Sequence, residues 1–228
     1  MFWPFKKETS LLEATDKEQR EAVESLISQG TLHSGYYLML FLATLIVTPG
    51  LLIDNVAVVI GGMILAPLVV PILSLSLSLV SGNGHGMLRS VKIILISIVL
   101  VVATSAVLTI VLSRAYSEPT NLMQIQITPG IYVFISFCSG IAGAFAFVKK
   151  NLAQAIAGVA VTVSLLPPIC AIGIGLALGK YTLVENSSIL LVSNFVGMCI
   201  AAFIVFWVLG FLDAGKDEDK AMKKIENN

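Results

Sequence analysis

The stretch NVAVVIGGMILAPLVVPILSLSLSLVSG, Asn55 to Gly82, decides the fold, because its pattern returns 96 residues later as NLAQAIAGVAVTVSLLPPICAIGIGLAL, Asn151 to Leu178. Without a gap, Asn55 falls on Asn151, Ala57 on Ala153, Ile60 on Ile156, Gly62 on Gly158 and Pro71 on Pro167. The same offset carried outward pairs Tyr36 with Tyr132, Phe41 with Phe137, Ile93 with Ile189, Ser97 with Ser193 and Ala106 with Ala202. One constant offset across three apolar segments on each side reads as an internal repeat; the competing explanation is shared Leu/Ile/Val/Ala composition.

The rest of the composition sets that repeat in a membrane. Of 228 residues, 57% are hydrophobic and only 12% charged, and the mean hydropathy is +0.93, values that belong to a membrane protein and not to a soluble core. Acids and bases balance, so nothing points to nucleic acid. Cys138, Cys170 and Cys199 lie inside apolar runs and read as small core hydrophobes, neither a disulfide framework nor a metal cluster. The opening MFWPFKKE places its lysines after the apolar residues, which is not a secretory signal, so the first span is expected to target the chain.

Apolar segments run over about 35–52, 56–80, 91–112, 130–148, 152–178 and 187–211, each near the roughly 20 residues that cross a bilayer. The expectation is therefore an all-α integral membrane fold of six transmembrane helices. Three spans per copy is odd, so the second copy enters from the opposite side and the repeat is a 3+3 inverted one. Placing both termini in the cytoplasm puts Lys6, Lys7, Lys17, Arg20, Arg89, Lys92, Lys149, Lys150, Lys216, Lys220, Lys223 and Lys224 inside and leaves Arg114 and Lys180 outside. The expected organisation is a cytoplasmic amino-terminal region 1–33, a first repeat 34–112, an outer loop 113–129, a second repeat 130–212 and a charged tail 213–228. Within the first region Ser10 and Glu13 read as a capping box, and Leu12, Val23, Leu26 and Ile27 line one face of a short amphipathic helix over about 10–29. Its net charge of about −3 opposes docking on anionic lipid, so it is expected to pack on protein.

Pro67 and Pro71 break the second span and Pro167 and Pro168 the fifth. Each proline lacks an N–H and obstructs the carbonyl four residues earlier, which would free the carbonyls of Met63, Pro67, Val163 and Ser164 for a ligand. Gly62 and Gly158 allow backbones to approach there. Two broken helices at corresponding places mark a midplane solute site, with Pro71 and Pro167 expected near each other; the other reading is a pair of proline kinks that merely shape the bundle. Ser74 and Ser78 share a helix face and either line the pathway or bond back to their own helix. Asn194 is the most polar group deep in the sixth span, either on the pathway or in an interhelical hydrogen bond. Asp54, Asn55 and Asn151 stand where helix caps are expected, with ion coordination as the other reading.

No HExxH, GxSxG or phosphate loop occurs, and His33 and His85 sit at edges or loops, so no enzyme, cofactor or metal site is expected. Ser139, Gly140, Gly143 and Ala144 form a small-residue face for helix packing, and that face with the amphipathic helix suggests homo-oligomerisation.

GGMILAPLVVPIL (61–73) and GVAVTVSLLPPICAIGIGLA (158–177) resemble the two hallmark segments of the hydrophobic membrane proteins of domain-of-unknown-function family 389. The resemblance covers about residues 35–210 and implies the membrane fold, without a substrate, cofactor or reaction. The functional expectation is a cell-membrane transporter or channel for an unknown small neutral solute or a weakly held cation. The alternative is a non-transporting scaffold or assembly partner.

Overall fold

The computed structural model describes residues 14–29, 34–112, 129–149 and 165–215. All regular structure among them is helical: α1 (Asp16–Gln29), α2 (Ser34–Leu52), α3 (Val56–Leu65), α4 (Val69–Val80), α5 (Gly84–Leu112), α6 (Pro129–Val148), α7 (Leu166–Leu178) and α8 (Tyr181–Val208), followed by a 3-10 turn at Phe211–Asp213. Four helices are long and apolar enough to cross a membrane, within Gly35–Leu52, Gly84–Leu112, Gly130–Val148 and Tyr181–Val208. The pair α3 and α4, bent by 50° at its junction, makes a fifth candidate span. Of the expected fifth segment, 152–178, only α7 and Leu165 lie within the described residues, and α7 alone is too short to span. Large apolar side chains face outward along the long helices, such as Val99, Val107, Phe134 and Val192. In water such faces would associate; in lipid they are the expected exterior.

α1 begins at Asp16, and its cap is Thr15 with Glu18. The Glu18 N–H donates to Thr15 Oγ1 at 3.4 Å while the Thr15 N–H donates to Glu18 Oε2 at 2.9 Å, satisfying two orphan donors reciprocally. Ser10 and Glu13 lie outside the described residues. The apolar face of α1, Ala22, Val23, Leu26 and Ile27, is buried against α4 and α6, as its charge led us to expect.

Connectivity defines two ends of the bundle. The α4–α5 turn, the carboxyl ends of α6 and α8, and α1 share one end: Gln19 Nε2 donates to the Leu209 carbonyl at 3.0 Å, and Asn83 Nδ2 to the Gly215 carbonyl at 3.5 Å. At the other end Leu52, Ala171, Ile174 and Leu183 form one buried cluster. Small residues set the crossings between. A Cβ on Gly140 of α6 would lie 2.8 Å from Ala201 Cβ and 2.9 Å from the Met198 carbonyl of α8. A Cβ on Gly173 of α7 would lie 2.6 Å from the Val102 carbonyl of α5, so in both places only glycine lets the backbones meet.

Burial reveals a correspondence between the two halves of the chain. α5 buries Gly86, Ser90, Ile93, Ser97, Val101, Ser105 and Thr109. The residues 97 positions on, Leu183, Ser187, Leu190, Asn194, Met198, Ala202 and Phe206, are all buried in α8. The first residues of α4 and α7, the first residues of α5 and α8, and the left-handed turn glycines Gly82 and Gly179, both at φ +67°, stand at the same spacing of 97. Between α2 and α6 the spacing is 96: Leu40, Ala43, Thr44, Val47 and Thr48 fall on the buried Ser136, Ser139, Gly140, Gly143 and Ala144. The single offset of 96 read from identities therefore fits α2 and α6 and is one residue short beyond them. Ile93, 2% exposed, cannot share a role with Ile189, 40% exposed, since one residue turns a helical side chain by about 100°.

Candidate functional site

The break between α3 and α4 falls at Ala66, Pro67 and Leu68. Gly62, one turn upstream, packs on α2, where a Cβ would meet the Ala43 carbonyl at 3.2 Å; Met63 is buried beside it. Of the carbonyls expected to be free, those of Met63 and Pro67 are not. The Ala66 N–H donates to Met63 O at 3.2 Å and the Val70 N–H to Pro67 O at 3.4 Å, so two tight turns absorb what the proline releases. Pro71 does not kink a continuous helix; it lies in the first turn of α4, where the missing N–H is one that no carbonyl would have received. Pro167 and Pro168 stand in the first turn of α7. At the spacing of 97, Pro71 corresponds to the buried Pro168 and not to the half-buried Pro167. Asn151, Gly158, Val163 and Ser164 lie outside the described residues.

Four helices, α4, α5, α7 and α8, meet around a half-open apolar cavity of about 20 Å³. Its wall consists of Leu68 and Leu165, Ile72 and Ile169, Ile94 and Leu191, Ile98 and Phe195. Each pair is 97 residues apart. Roughly 10–15 Å³ suffices to admit one water, but a water here would find no polar partner, so the crossing is dry.

The polar side chains of the region turn away from that cavity. Ser78 Oγ donates to the Ser74 carbonyl at 2.9 Å, the bonding back to the same helix weighed as one of two readings. Ser74 Oγ donates to the Leu26 carbonyl of α1 at 3.4 Å. Asn194 Oδ1 accepts from Ser136 Oγ at 2.9 Å, an interhelical bond between α8 and α6. Asn55 caps α3, its Oδ1 accepting from the Val58 N–H at 3.2 Å. Asp54 precedes it with φ 55°, a left-handed conformation rare outside glycine, and is exposed.

Several buried partners escaped the sequence reading. Ser76 Oγ reaches the Cys199 carbonyl of α8 at 3.3 Å, and Ser105 Oγ the Cys170 carbonyl of α7 at 2.8 Å. Tyr36 and Ser97 hydroxyls lie 2.9 Å apart between α2 and α5. The buried stripe Ser90, Ser97, Ser105 and Thr109 was visible in principle as polar residues repeating at helical spacing along an apolar span. Lys149, just past α6, sends Nζ to both carboxylate oxygens of Glu18 at 3.1 Å. The Thr15 backbone N–H, against partial desolvation and with help from Lys149, holds the Glu18 carboxyl below its ordinary value.

The small face Ser139, Gly140, Gly143 and Ala144 is buried, with Gly140 against α8 of the same chain, and the apolar face of α1 is covered by α4 and α6. Both surfaces that suggested homo-oligomerisation are thus used within one bundle. Among the described residues no group of three or more His, Cys, Asp or Glu side chains is placed to hold a metal.

Helical spans with lipid-compatible exteriors and a core closed by glycines and hydroxyls define a multi-pass membrane protein. Residues 63–200 match the family described as Domain of unknown function (DUF389), more than half of the chain, and the chain belongs to that family. It is 27% identical over 205 residues to Uncharacterized protein MJ0678 of Methanocaldococcus jannaschii, the match covering 86% of this chain. The chain spans 63% of the length of that relative. No solved structure matches it.

Proposed function

We propose that this protein is a membrane transporter or channel of six spans in a 3+3 inverted repeat, both termini cytoplasmic in the cell membrane, passing a small neutral solute or a weakly held cation between the second and fifth spans. The observation that carries the reading is the cavity wall of four residue pairs, each 97 apart, which is where a pseudo-two-fold axis relating two inverted halves would run. The matching burial of α5 and α8 supports it, as do the hydroxyl bonds from α4 to α8 and from α5 to α7. In this reading the dry crossing is a closed gate: hydrophobic constrictions stop conduction by dewetting and open by modest separation of their walls. No charge lines it, which favours neutral or easily dehydrated solutes. Lys149 lies at the α1 end of the bundle and Lys180 at the other, in keeping with the basic-residue asymmetry.

A scaffold is the second reading, favoured by one specific observation: Ser74, Ser76 and Ser78 all donate to backbone carbonyls, which leaves none of their hydroxyl protons for a solute. Proteoliposomes separate the two. Wild-type protein is expected to pass small neutral solutes or monovalent cations, and Ile72→Ser with Ile169→Ser to raise the flux by wetting the gate. Absence of flux across a broad panel for both proteins, with both folded, would leave the scaffold.

A further inference from the structure

The two ends of the bundle are not equivalent. At the end away from α1, α2 packs directly on α7, with Leu52 clustered against Ala171 and Ile174. The corresponding positions at the other end are Val148 of α6, 96 residues after Leu52, and Ser74 and Leu77 of α4, 97 residues before Ala171 and Ile174. There α6 and α4 barely touch, and α1 packs on both. Ser74, instead of packing on α6 as Ala171 packs on α2, hydrogen-bonds the Leu26 carbonyl of α1. Leu26 and Val23 are 0% and 1% exposed, so α1 occupies the space between the two helices.

Three further contacts hold it in place. The Glu18–Lys149 ion pair ties it to α6 at 3.1 Å, Gln19 ties it to the end of α8, and Ile27 joins the shared core. At the other end α3 packs on α2 and touches α7, but it does not part Leu52 from Ala171 and Ile174.

We infer that α1 is a removable wedge that keeps the α4–α6 side of the bundle open while blocking it, and that its release lets α4 close on α6 as α7 now closes on α2, with α2 and α7 parting in exchange. This rests on the inverted-repeat transport reading above, in which two halves of like sequence swap conformations to expose a central site from alternate sides. α1 then regulates that site: docked, it fixes one side of the cycle; undocked, it permits the other. Because a helix axis stands about 8–10 Å from each neighbour it packs on, closing a groove that now holds a helix brings α4 and α6 together by several ångströms.

The test uses spin-label distances in the full chain, with Cys138, Cys170 and Cys199 replaced by Ala. Labels at Lys17 and His85 follow α1. Labels at Leu79 and Ala142 follow the α1 end, and labels at their counterparts Leu176 and Ile46 follow the other end. Leu26→Glu places a carboxylate in an apolar groove, which expels α1; the Lys17–His85 distance is expected to lengthen and broaden, Leu79–Ala142 to shorten by several ångströms and Leu176–Ile46 to lengthen. Should Leu26→Glu misfold, Glu18→Lys opposite Lys149 is expected to produce the same changes, and Lys149→Glu added to it to reverse them. Release of α1 with the other two distances unchanged overturns the wedge, as does failure of both variants to move α1. Exchange of the two distances without flux in any variant supports the wedge and removes the transport reading; flux with fixed distances does the opposite.

Discussion

The close crossing of α6 on α8 gives the sharpest quantitative test. In Gly140→Ala the added Cβ lies 2.8 Å from Ala201 Cβ, 2.9 Å from the Met198 carbonyl and 3.0 Å from Met198 Cα, where ordinary contacts run 3.4–4 Å. Two of the three neighbours are backbone, so no rotamer change relieves them, and α6 and α8 must separate by roughly half an ångström or more. Overpacking of this kind costs about 1–3 kcal/mol. Reversible unfolding from mild detergent into denaturant measures it, with Gly61→Ala as control: nothing lies within 4 Å of that position, and the substitution gains up to ~1 kcal/mol of helix propensity. Adding Ala201→Gly to Gly140→Ala removes the Cβ contact and leaves the Met198 backbone contacts, so it restores only part of the loss. Equal stability of Gly140→Ala and Gly61→Ala, or full restoration by Ala201→Gly, would refute the close α6–α8 approach.

Three other outcomes are expected. Ser136→Ala, which removes the bond to Asn194, lowers stability in the same unfolding assay by about 0.6–2 kcal/mol, while Asn194→Leu, if the residue is a packing tie and not part of the pathway, leaves any flux per folded molecule unchanged. Asp54→Gly relieves a φ of 55° and raises stability by about 1 kcal/mol; a loss of flux in the more stable variant would instead assign Asp54 to ion coordination. For pH, Glu18 has its folded value depressed by the Thr15 N–H, with Lys149 assisting, so its contribution to α1 docking is fully present above the unfolded carboxylate value and is lost as pH falls through the depressed one. The Lys17–His85 label distance is thus expected to stay constant from neutral pH down through the ordinary glutamate range and to broaden only below it.

What could be read in advance follows from which physical signals are local. The spans over α2, α5, α6 and α8 are long apolar runs, and Asn55 before the apolar run that opens with α3 announces a cap, because hydrocarbon length and orphan N–H groups act within a single segment. The fate of the prolines was less accessible. Pro71 obstructs a helix only if one runs unbroken into it, and it instead lies in the first turn of α4, so the carbonyls thought to be free at Met63 and Pro67 are turn acceptors. The helix caught between α4 and α6 could be seen as amphipathic but not located, since its partners, Lys149, Ser74 and Leu209, are distant in the chain.

The repeat register shows why an apolar sequence resists finer reading. Ile93 and Ile189 are identical and seemed to confirm an offset of 96, yet only the first is buried. Ser97 and Asn194 differ in kind, but both are buried and both bond to the first helix of their own half, Ser97 to Tyr36 and Asn194 to Ser136. Identity among leucines and isoleucines carries little information because lipid and core accept the same side chains. A buried polar group carries more, since its partner must be present on a definite face. The one-residue difference between 96 and 97 therefore came from burial and hydrogen bonding. It also pairs Pro71 with Pro168, and each of these prolines is followed by a residue of the apolar crossing, Ile72 and Ile169.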